Sequence, residues 1–282
     1  MRFKEFLIER TVSSLDDVIQ QIRSNCKPFL KQNRMLYRGF SPYLMKETGV
    51  EKFDPTVAFY SPHPTNRKPR DSANAAYFNF MFNGGIELAF DEEQIRDHTI
   101  FATNNPAMAM IFGEVTFFFP CGDFKYLTSS TMSDSFDNNA TIRQRVAEQT
   151  GLPVGKIREG FTILASKYKN KPHDWITDAE KAIKPTMEAF DSSDEQLYFT
   201  LKNVLEDVYG DVYTDTPNLA HFKFPSEGGE LLFYETHGYY TVPAKMVMAQ
   251  MSAQGVEHAG VPEDEFIRKY LRELIMGSVD EV

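Results

Sequence analysis

The chain has 282 residues, of which 42% are hydrophobic and 25% are charged, and its formal net charge is -10 at pH 7. This length supports a substantial core, either in one large domain or in one domain with a helical insertion. No apolar run approaches the roughly 20 residues that span a bilayer, so no membrane segment is predicted. Cys26 and Cys121 are the only cysteines. Two cysteines are too few for a disulfide framework and indicate a reducing compartment.

The charge is unevenly distributed. Residues 1–70 hold 13 basic and 7 acidic residues, whereas the rest of the chain holds 17 basic and 33 acidic residues. The acidic body argues against nonspecific nucleic-acid binding, which depends on phosphate neutralisation. A basic front edge remains, including the proline-rich loop that carries Arg67, Lys68 and Arg70.

The first ten residues lack the long apolar core of a secretory signal. They resemble the short head-targeting leader of internal proteins of large tailed phages, which is removed after a Leu-x-Glu or Ile-x-Glu site. Leu7-Ile8-Glu9 fits that site. The alternative is an ordinary amphipathic helix with Phe3, Phe6 and Leu7 on one face. Residues 1–12 are therefore interpreted as a leader or a first helix.

A helix capped by Ser13 or Ser14 is predicted next, and it leads to a strand over residues 35–40. Arg38 ends the apolar run of this strand, and Gly39 behind it leaves room for a ligand. An arginine suits a phosphate, because its planar fork donates two parallel hydrogen bonds. Taken alone, Arg38 reads better as a surface salt-bridge partner at a strand end.

Residues 99–103 read as a strand, and residues 104–113 as a helix with Asn105 as cap, Pro106 at the first helical position and Gly113 after the end. Thr103 then projects from a strand end beside a helix N-terminus, where backbone N–H groups favour negative charge. The simpler alternative is a turn residue followed by a cap.

Strands are predicted at residues 115–119 and 125–127, and residues 140–210 read as a helical insertion, interrupted at residues 151–153 and at Pro172. Glu230 then opens an apolar strand that is entered through Gly228 and Gly229. A second extended run follows over residues 239–242, and a terminal helix over residues 266–275. A carboxylate held at the mouth of a strand is suited to chemistry, although Glu230 also fits a charged strand-edge residue that blocks aggregation.

These three segments, in this order, resemble the mono-ADP-ribosyltransferase family, the R-S-E branch of NAD-dependent toxins and phage enzymes. The family carries an Arg in a Leu-Tyr-Arg-Gly motif, a Ser or Thr at a strand end running into Ala-x-x-Phe-Gly, and a catalytic Glu opening a late strand. The matching residues here are 36–39, Thr103 with 109–113, and Glu230 with the apolar residues after it.

The resemblance implies an α+β fold with two facing, mostly antiparallel sheets around an NAD cleft, surrounding helices, and a single domain over residues 1–282. It implies transfer of ADP-ribose from NAD to a protein or nucleic-acid acceptor, with nicotinamide released. The implied catalytic residues are Glu230, Arg38 and Thr103. The implied NAD-binding residues are Arg38, Gly39, Thr103, Asn104, Asn105 and Phe112. The implied target-recognition residues are Glu227, Phe222 and Phe224.

Two departures from the family concern the acceptor and the turn. Thr103-Asn104-Asn105 replaces Ser-Thr-Ser, so only the first hydroxyl remains. Gly228 stands where arginine-modifying members have Glu or Gln, with Glu227 one residue further back, which argues against arginine as the acceptor. The resemblance implies action in a host cytoplasm, as a toxin with an antitoxin partner or as a phage effector packaged with head components.

Other chemistries are less well supported. The six histidines show neither a zincin pair nor a Cys/His zinc spacing, so no metal is predicted. Cys121 lies in a tight Pro-Cys-Gly turn that lacks the signature of an activated nucleophile. The alternative from a different class is a noncatalytic internal head protein that binds packaged DNA through residues 1–70.

Overall fold

The computed structural model describes residues 10–12, 14–40, 54–62, 73–93, 95–132, 138–256 and 263–277. Residues 1–9 of the proposed leader and the basic loop with Arg67, Lys68 and Arg70 lie outside these ranges. The chain divides into two compact units. The described parts of residues 1–64, 100–128 and 216–282 form the sheet unit, and those of residues 65–99 and 129–215 form the helical unit.

The sheet unit contains eight strands in its described residues, joined in one antiparallel sheet of order β1-β3-β9-β5-β2-β4-β8-β6. Their bounds are β1 Arg10–Val12, β2 Leu36–Phe40, β3 Ala58–Pro62, β4 Ile100–Thr103, β5 Glu114–Cys121, β6 Lys125–Ser129, β8 Glu230–Glu235 and β9 Gly238–Pro243. Because β1 pairs with β3, residues 10–12 are extended, and the predicted first helix is wrong for them.

The helices of the sheet unit begin and end at recognisable signals. Their bounds are α1 Leu15–Asn25, α2 Lys27–Leu30, α5 Pro106–Ile111, α11 Ala244–Ala253 and α12 Glu263–Met276. Ser14 caps α1, its hydroxyl accepting from the Asp17 amide at 3.3 Å, as predicted. Its residues Leu15, Val18, Ile19 and Ile22 are buried. This apolar face explains why α1 folds against the sheet.

The core of the sheet unit is aromatic. The Phe118 ring lies 5.2 Å from the ring of Phe233 and 5.3 Å from that of Tyr239, measured between centroids. These residues come from β5, β8 and β9, so ring packing joins strands that are distant in sequence. Strand β8 is buried at four successive residues after Glu230, which fixes the strand that presents this carboxylate.

The helical unit contains the predicted helical insertion together with two earlier helices. Its elements are α3 Ala73–Phe90, α4 Ile95–His98, α6 Asn138–Thr150, α7 Val154–Lys167, α8 His173–Thr177, α9 Ala179–Phe190, α10 Gln196–Val212 and the short strand β7 Tyr213–Asp215. Gly151 has a φ of +72° and ends α6, and α8 starts directly after Pro172. Both predicted interruptions are therefore correct.

The mixed helix and strand composition of the prediction is confirmed. Two facing sheets are not seen within the described ranges, where the strands of the sheet unit join in one sheet. Among the helices that the structure describes, none combines the length and the apolar character needed to cross a membrane.

Two helical glycines of the helical unit give a matched test of its packing. A Cβ on Gly85 would lie 1.9 Å from the Tyr209 ring, whereas a Cβ on Gly155 would meet no atom within 4 Å. We expect Gly85→Ala to lower the free energy of unfolding by about 1–3 kcal/mol through overpacking. Gly155→Ala should leave it unchanged or raise it by up to about 1 kcal/mol. Urea unfolding of both variants checks this, and equal stabilities would contradict the packing.

Candidate functional site

Strand pairing sets two of the predicted site residues, Thr103 and Glu230, side by side in the sheet. Tyr37 of β2 lies directly opposite Thr103 of β4, and Thr103 lies directly opposite Glu230 of β8. Directly opposed residues share a face of the sheet, with Cβ atoms roughly 5 Å apart. Thr103 and Glu230, which are 127 positions apart in the chain, are therefore neighbours, as the resemblance implies.

The side chain of Arg38 extends from β2 to β4. Only 6% of this residue is exposed, and its Nη1 donates to the carbonyl of Phe101 at 3.2 Å. The guanidinium carbon also lies 5.2 Å from the centre of the Tyr239 ring. Phe101 precedes Thr103 by two residues, roughly 7 Å along a strand. Arg38 is thus a buried residue of the β2–β4 junction rather than a surface residue.

Close packing of helix α5 leaves no room for a side chain at Gly39. A Cβ at this position would lie 2.1 Å from the carbonyl oxygen of Ala109 and 2.7 Å from Cβ of Phe112. The prediction that Gly39 leaves room for a ligand is therefore wrong on its Cα side, because the end of α5 fills that space. Phe112 itself is 57% exposed, beside the exposed Met110 and Ile111.

The Thr103-Asn104-Asn105 turn is held by its own side chains. The Thr103 hydroxyl accepts a hydrogen bond from the backbone N–H of Asn105 at 3.2 Å. Asn105 caps α5, since its Oδ1 accepts from the Ala107 amide at 2.9 Å. This cap was predicted from the sequence.

The two asparagines also bind the loop before Glu230. Asn104 Oδ1 accepts from the Gly229 amide at 2.6 Å, and Asn105 Nδ2 donates to the carbonyl of Glu227 at 2.6 Å. Both side-chain amides therefore form hydrogen bonds with the protein's own backbone. They position the entry to β8, a role that sequence reasoning did not assign to them.

Glu230 is half-buried at the start of β8. The Thr128 hydroxyl donates to its carbonyl at 3.0 Å, just as the Thr116 hydroxyl donates to the carbonyl of Arg38 at 3.0 Å. A hydroxyl from a neighbouring strand thus fixes the backbone at two of the three predicted catalytic positions, Glu230 and Arg38. Rigid backbone supports the precise placement that catalysis requires.

Gly228 adopts a φ of +98°, a conformation that side chains rarely tolerate. A Cβ there would lie 2.4 Å from Cβ of Asn105. Backbone conformation and close packing therefore explain why this position carries no Glu or Gln. The neighbouring Glu227 is exposed.

The loop over residues 216–229 is anchored by Arg34, which sequence reasoning missed. Its guanidinium donates to the carbonyls of Leu219 at 2.7 Å, Ala220 at 3.2 Å and Phe222 at 3.1 Å. The rings of Phe222 and Phe224 contact each other edge to face, with centroids 4.9 Å apart, and both residues are half-buried. The predicted recognition residues therefore lie on an ordered loop.

Cys121 shows no sign of an activated nucleophile. It is 4% exposed, and its Sγ lies 3.3 Å from that of Cys26. Burial raises the pKa of the Cys26 thiol well above its usual value. Buried, protonated thiols are inert, which supports the structural interpretation of this pair.

Comparisons of the chain with protein-family models, with curated proteins and with solved structures give no match.

Two substitutions at Asn105 distinguish the hydrogen bond that caps α5 from the hydrogen bond to the carbonyl of Glu227. Asn105→Asp keeps the cap on α5 but places an oxygen against the carbonyl of Glu227, whereas Asn105→Ala loses both interactions. We expect Asn105→Ala to cost about 1–2 kcal/mol more stability, on the scale of a lost helix cap. Both variants should speed hydrogen exchange at residues 227–229. Unchanged exchange there in Asn105→Asp would contradict the proposed anchoring of the loop.

Proposed function

We propose that the protein is an NAD-dependent mono-ADP-ribosyltransferase with Glu230 as its central catalytic residue. The observation that carries the proposal is the register of β4 and β8, which sets Thr103 opposite Glu230. The family resemblance implies a Thr and a Glu side by side in this way, with the Arg on an adjoining strand. Arg38 follows Tyr37, the residue of β2 that pairs with Thr103, and so starts from the opposite face of the sheet. Its guanidinium lies where β2 and β4 join, since Nη1 donates to the carbonyl of Phe101.

The sheet supports a cleft at this place. Strand β2 pairs with β5 at five positions but with β4 only at Tyr37 and Thr103. The sheet thus has a seam between the strands β1, β3, β9, β5 and β2 on one side and β4, β8 and β6 on the other. Strands that pair at one position can diverge beyond it. We propose that the two halves face each other across an NAD cleft.

The proposed chemistry begins with cleavage of the bond between nicotinamide and ribose. The resulting oxocarbenium-like ribose carries positive charge, which the Glu230 carboxylate stabilises, as a carboxylate does in glycoside hydrolysis. Thr103 orients Glu230, Arg38 holds a phosphate or the ribose, and the backbone near Gly39 binds the nicotinamide amide. A nucleophile on the acceptor then takes the ADP-ribose.

The acceptor is proposed to be a protein or nucleic-acid group other than the arginine guanidinium. The conformation of Gly228 supports this, because it disfavours the Glu or Gln that arginine-modifying members carry there. We propose a host cytoplasm as the place of action. Labelled NAD incubated with a host lysate, followed by separate protease and nuclease digestion, identifies the class of acceptor.

The central prediction concerns Glu230→Gln, which keeps size and removes charge. We expect kcat for NAD cleavage to fall by about 10²–10³-fold or more, as for loss of one electrostatic stabiliser. The matched control is Glu235→Gln at the other end of β8, where the carboxylate is exposed and pairs with Lys125 at 3.1 Å. The control should keep normal activity.

Normal turnover by Glu230→Gln would remove the central claim. A wild type that neither binds nor cleaves NAD, yet binds DNA tightly with strong salt dependence, would favour the internal head protein instead.

Arg38→Lys tests the proposed contact with NAD. The lysine keeps the positive charge but loses the planar fork, so we expect NAD to bind about tenfold more weakly or worse. Calorimetric titration measures the affinity, and urea unfolding measures the stability lost with the bond to Phe101. Unchanged affinity combined with reduced stability would make Arg38 a purely structural residue.

A further inference from the structure

A histidine and two glutamates meet in the helical unit. Nδ1 of His173 lies 2.6 Å from Oε1 of Glu87 and 3.3 Å from Oε1 of Glu93. All three ligand atoms lie within 4.8 Å of one another. Imidazole nitrogen and carboxylate oxygen are common ligands for zinc.

Local structure holds these side chains in place. Glu87 lies in the last turn of α3. Its backbone carbonyl accepts a hydrogen bond from the Asp91 amide at 2.9 Å. Asp91 is left-handed, with a φ of +59°, and turns the chain back so that Glu93 reaches the same point. On the other side, Pro172 packs closely against Gly84 of α3, where a Cβ would lie 3.3 Å from that of the proline. This contact seats His173 beside Glu87, which lies about one helical turn after Gly84.

A second observation points to a ligand. The Glu87 side chain is only 6% exposed, and its Oε2 is buried with no hydrogen-bond partner in the described residues. An unsatisfied buried carboxylate oxygen is costly, on the order of 1–3 kcal/mol. A cation bound by both oxygens of this carboxylate would satisfy Oε2. The side chains of His173 and Glu93 are 41% and 57% exposed, so an ion from solvent can reach the three ligand atoms.

From this geometry we infer that Glu87, Glu93 and His173 form a binding site for a divalent transition-metal ion of the zinc class. Neighbouring ligand atoms of a tetrahedral zinc ion are ~3.3 Å apart, since each bond is roughly 2.0–2.1 Å. The His173–Glu93 distance of 3.3 Å already matches. The shorter His173–Glu87 distance widens when the metal replaces the shared proton.

Two carboxylates and a neutral imidazole carry a charge of -2, which a divalent cation neutralises, and water completes the coordination. The ion would bridge the start of α8 and the end of α3. This proposal is independent of NAD chemistry, because its residues belong to the helical unit and the proposed catalytic residues belong to the sheet unit.

The test uses the full chain after treatment with a chelator and dialysis. Calorimetric titration with Zn²⁺ should show one saturable site per chain, and Co²⁺ should give the visible absorption of a tetrahedral complex. Zn²⁺ should also raise Tm, since it binds the folded state. Glu93→Gln and His173→Asn should each weaken binding at least about tenfold, the scale seen even for residues that only support a ligand.

Asp174→Asn is the matched control, because Asp174 is an exposed acid next to His173 and lies outside the ligand set. It should bind Zn²⁺ like the wild type. Glu93 is exposed, so Glu93→Gln should fold normally and remain informative even if a change at the buried Glu87 does not fold. The proposal is overturned if the wild type shows no saturable site, or if Glu93→Gln and His173→Asn bind Zn²⁺ undiminished.

Discussion

The pairing of Tyr37 with Thr103 is the constraint on which the arrangement of the proposed active site depends. It is the one register position that joins β2 to β4, and through it the Arg38 strand meets the two strands that carry Thr103 and Glu230. Longer pairing would close the sheet between these strands and leave no opening for a ligand. Absence of pairing would separate the Arg38 strand from the strands that carry Thr103 and Glu230. In the proposed enzyme, a single bridge, reinforced by the hydrogen bond from Arg38 to Phe101, would let the two halves stay joined and still diverge.

The asparagines show how this chain replaces the hydroxyls of its proposed family. Asn104 and Asn105 each reach the loop before β8 with a bond of 2.6 Å, which a serine hydroxyl on the same backbone is too short to reproduce. Arg34 holds the other end of that loop through three carbonyls. A loop anchored at both ends presents its exposed side chains, such as Glu227, in fixed positions. In the proposed enzyme, acceptor choice would then depend on which of those side chains face the cleft.

Sequence reasoning succeeded where the signal is local. The Asn105 cap, the Ser14 cap and the break at Gly151 each depend on residues within a few positions, and each was predicted. Helix α3 was missed because it is apolar on all sides and contains Gly84 and Gly85, so it shows no helical periodicity and resembles a break. The proposed metal site was missed because His173 lies 86 positions from Glu87 in the chain, so no spacing motif exists. The number of sheets was also beyond reach, since a single pair at Tyr37 decides it.

Burial of Arg38 links the stability of the seam to occupancy of the proposed cleft. Placing a guanidinium at 6% exposure carries a desolvation cost, and the carbonyl of Phe101 and the ring of Tyr239 offset part of it. In such low-polarity surroundings a nearby phosphate would interact with the guanidinium more strongly than in water. Because coupling between two equilibria is reciprocal, a phosphate that binds the ordered seam better than the loosened one must also stabilise it. In the proposed enzyme, NAD would therefore order the junction of β2 and β4 that aligns Thr103 with Glu230, and the substrate would help to assemble the catalytic geometry.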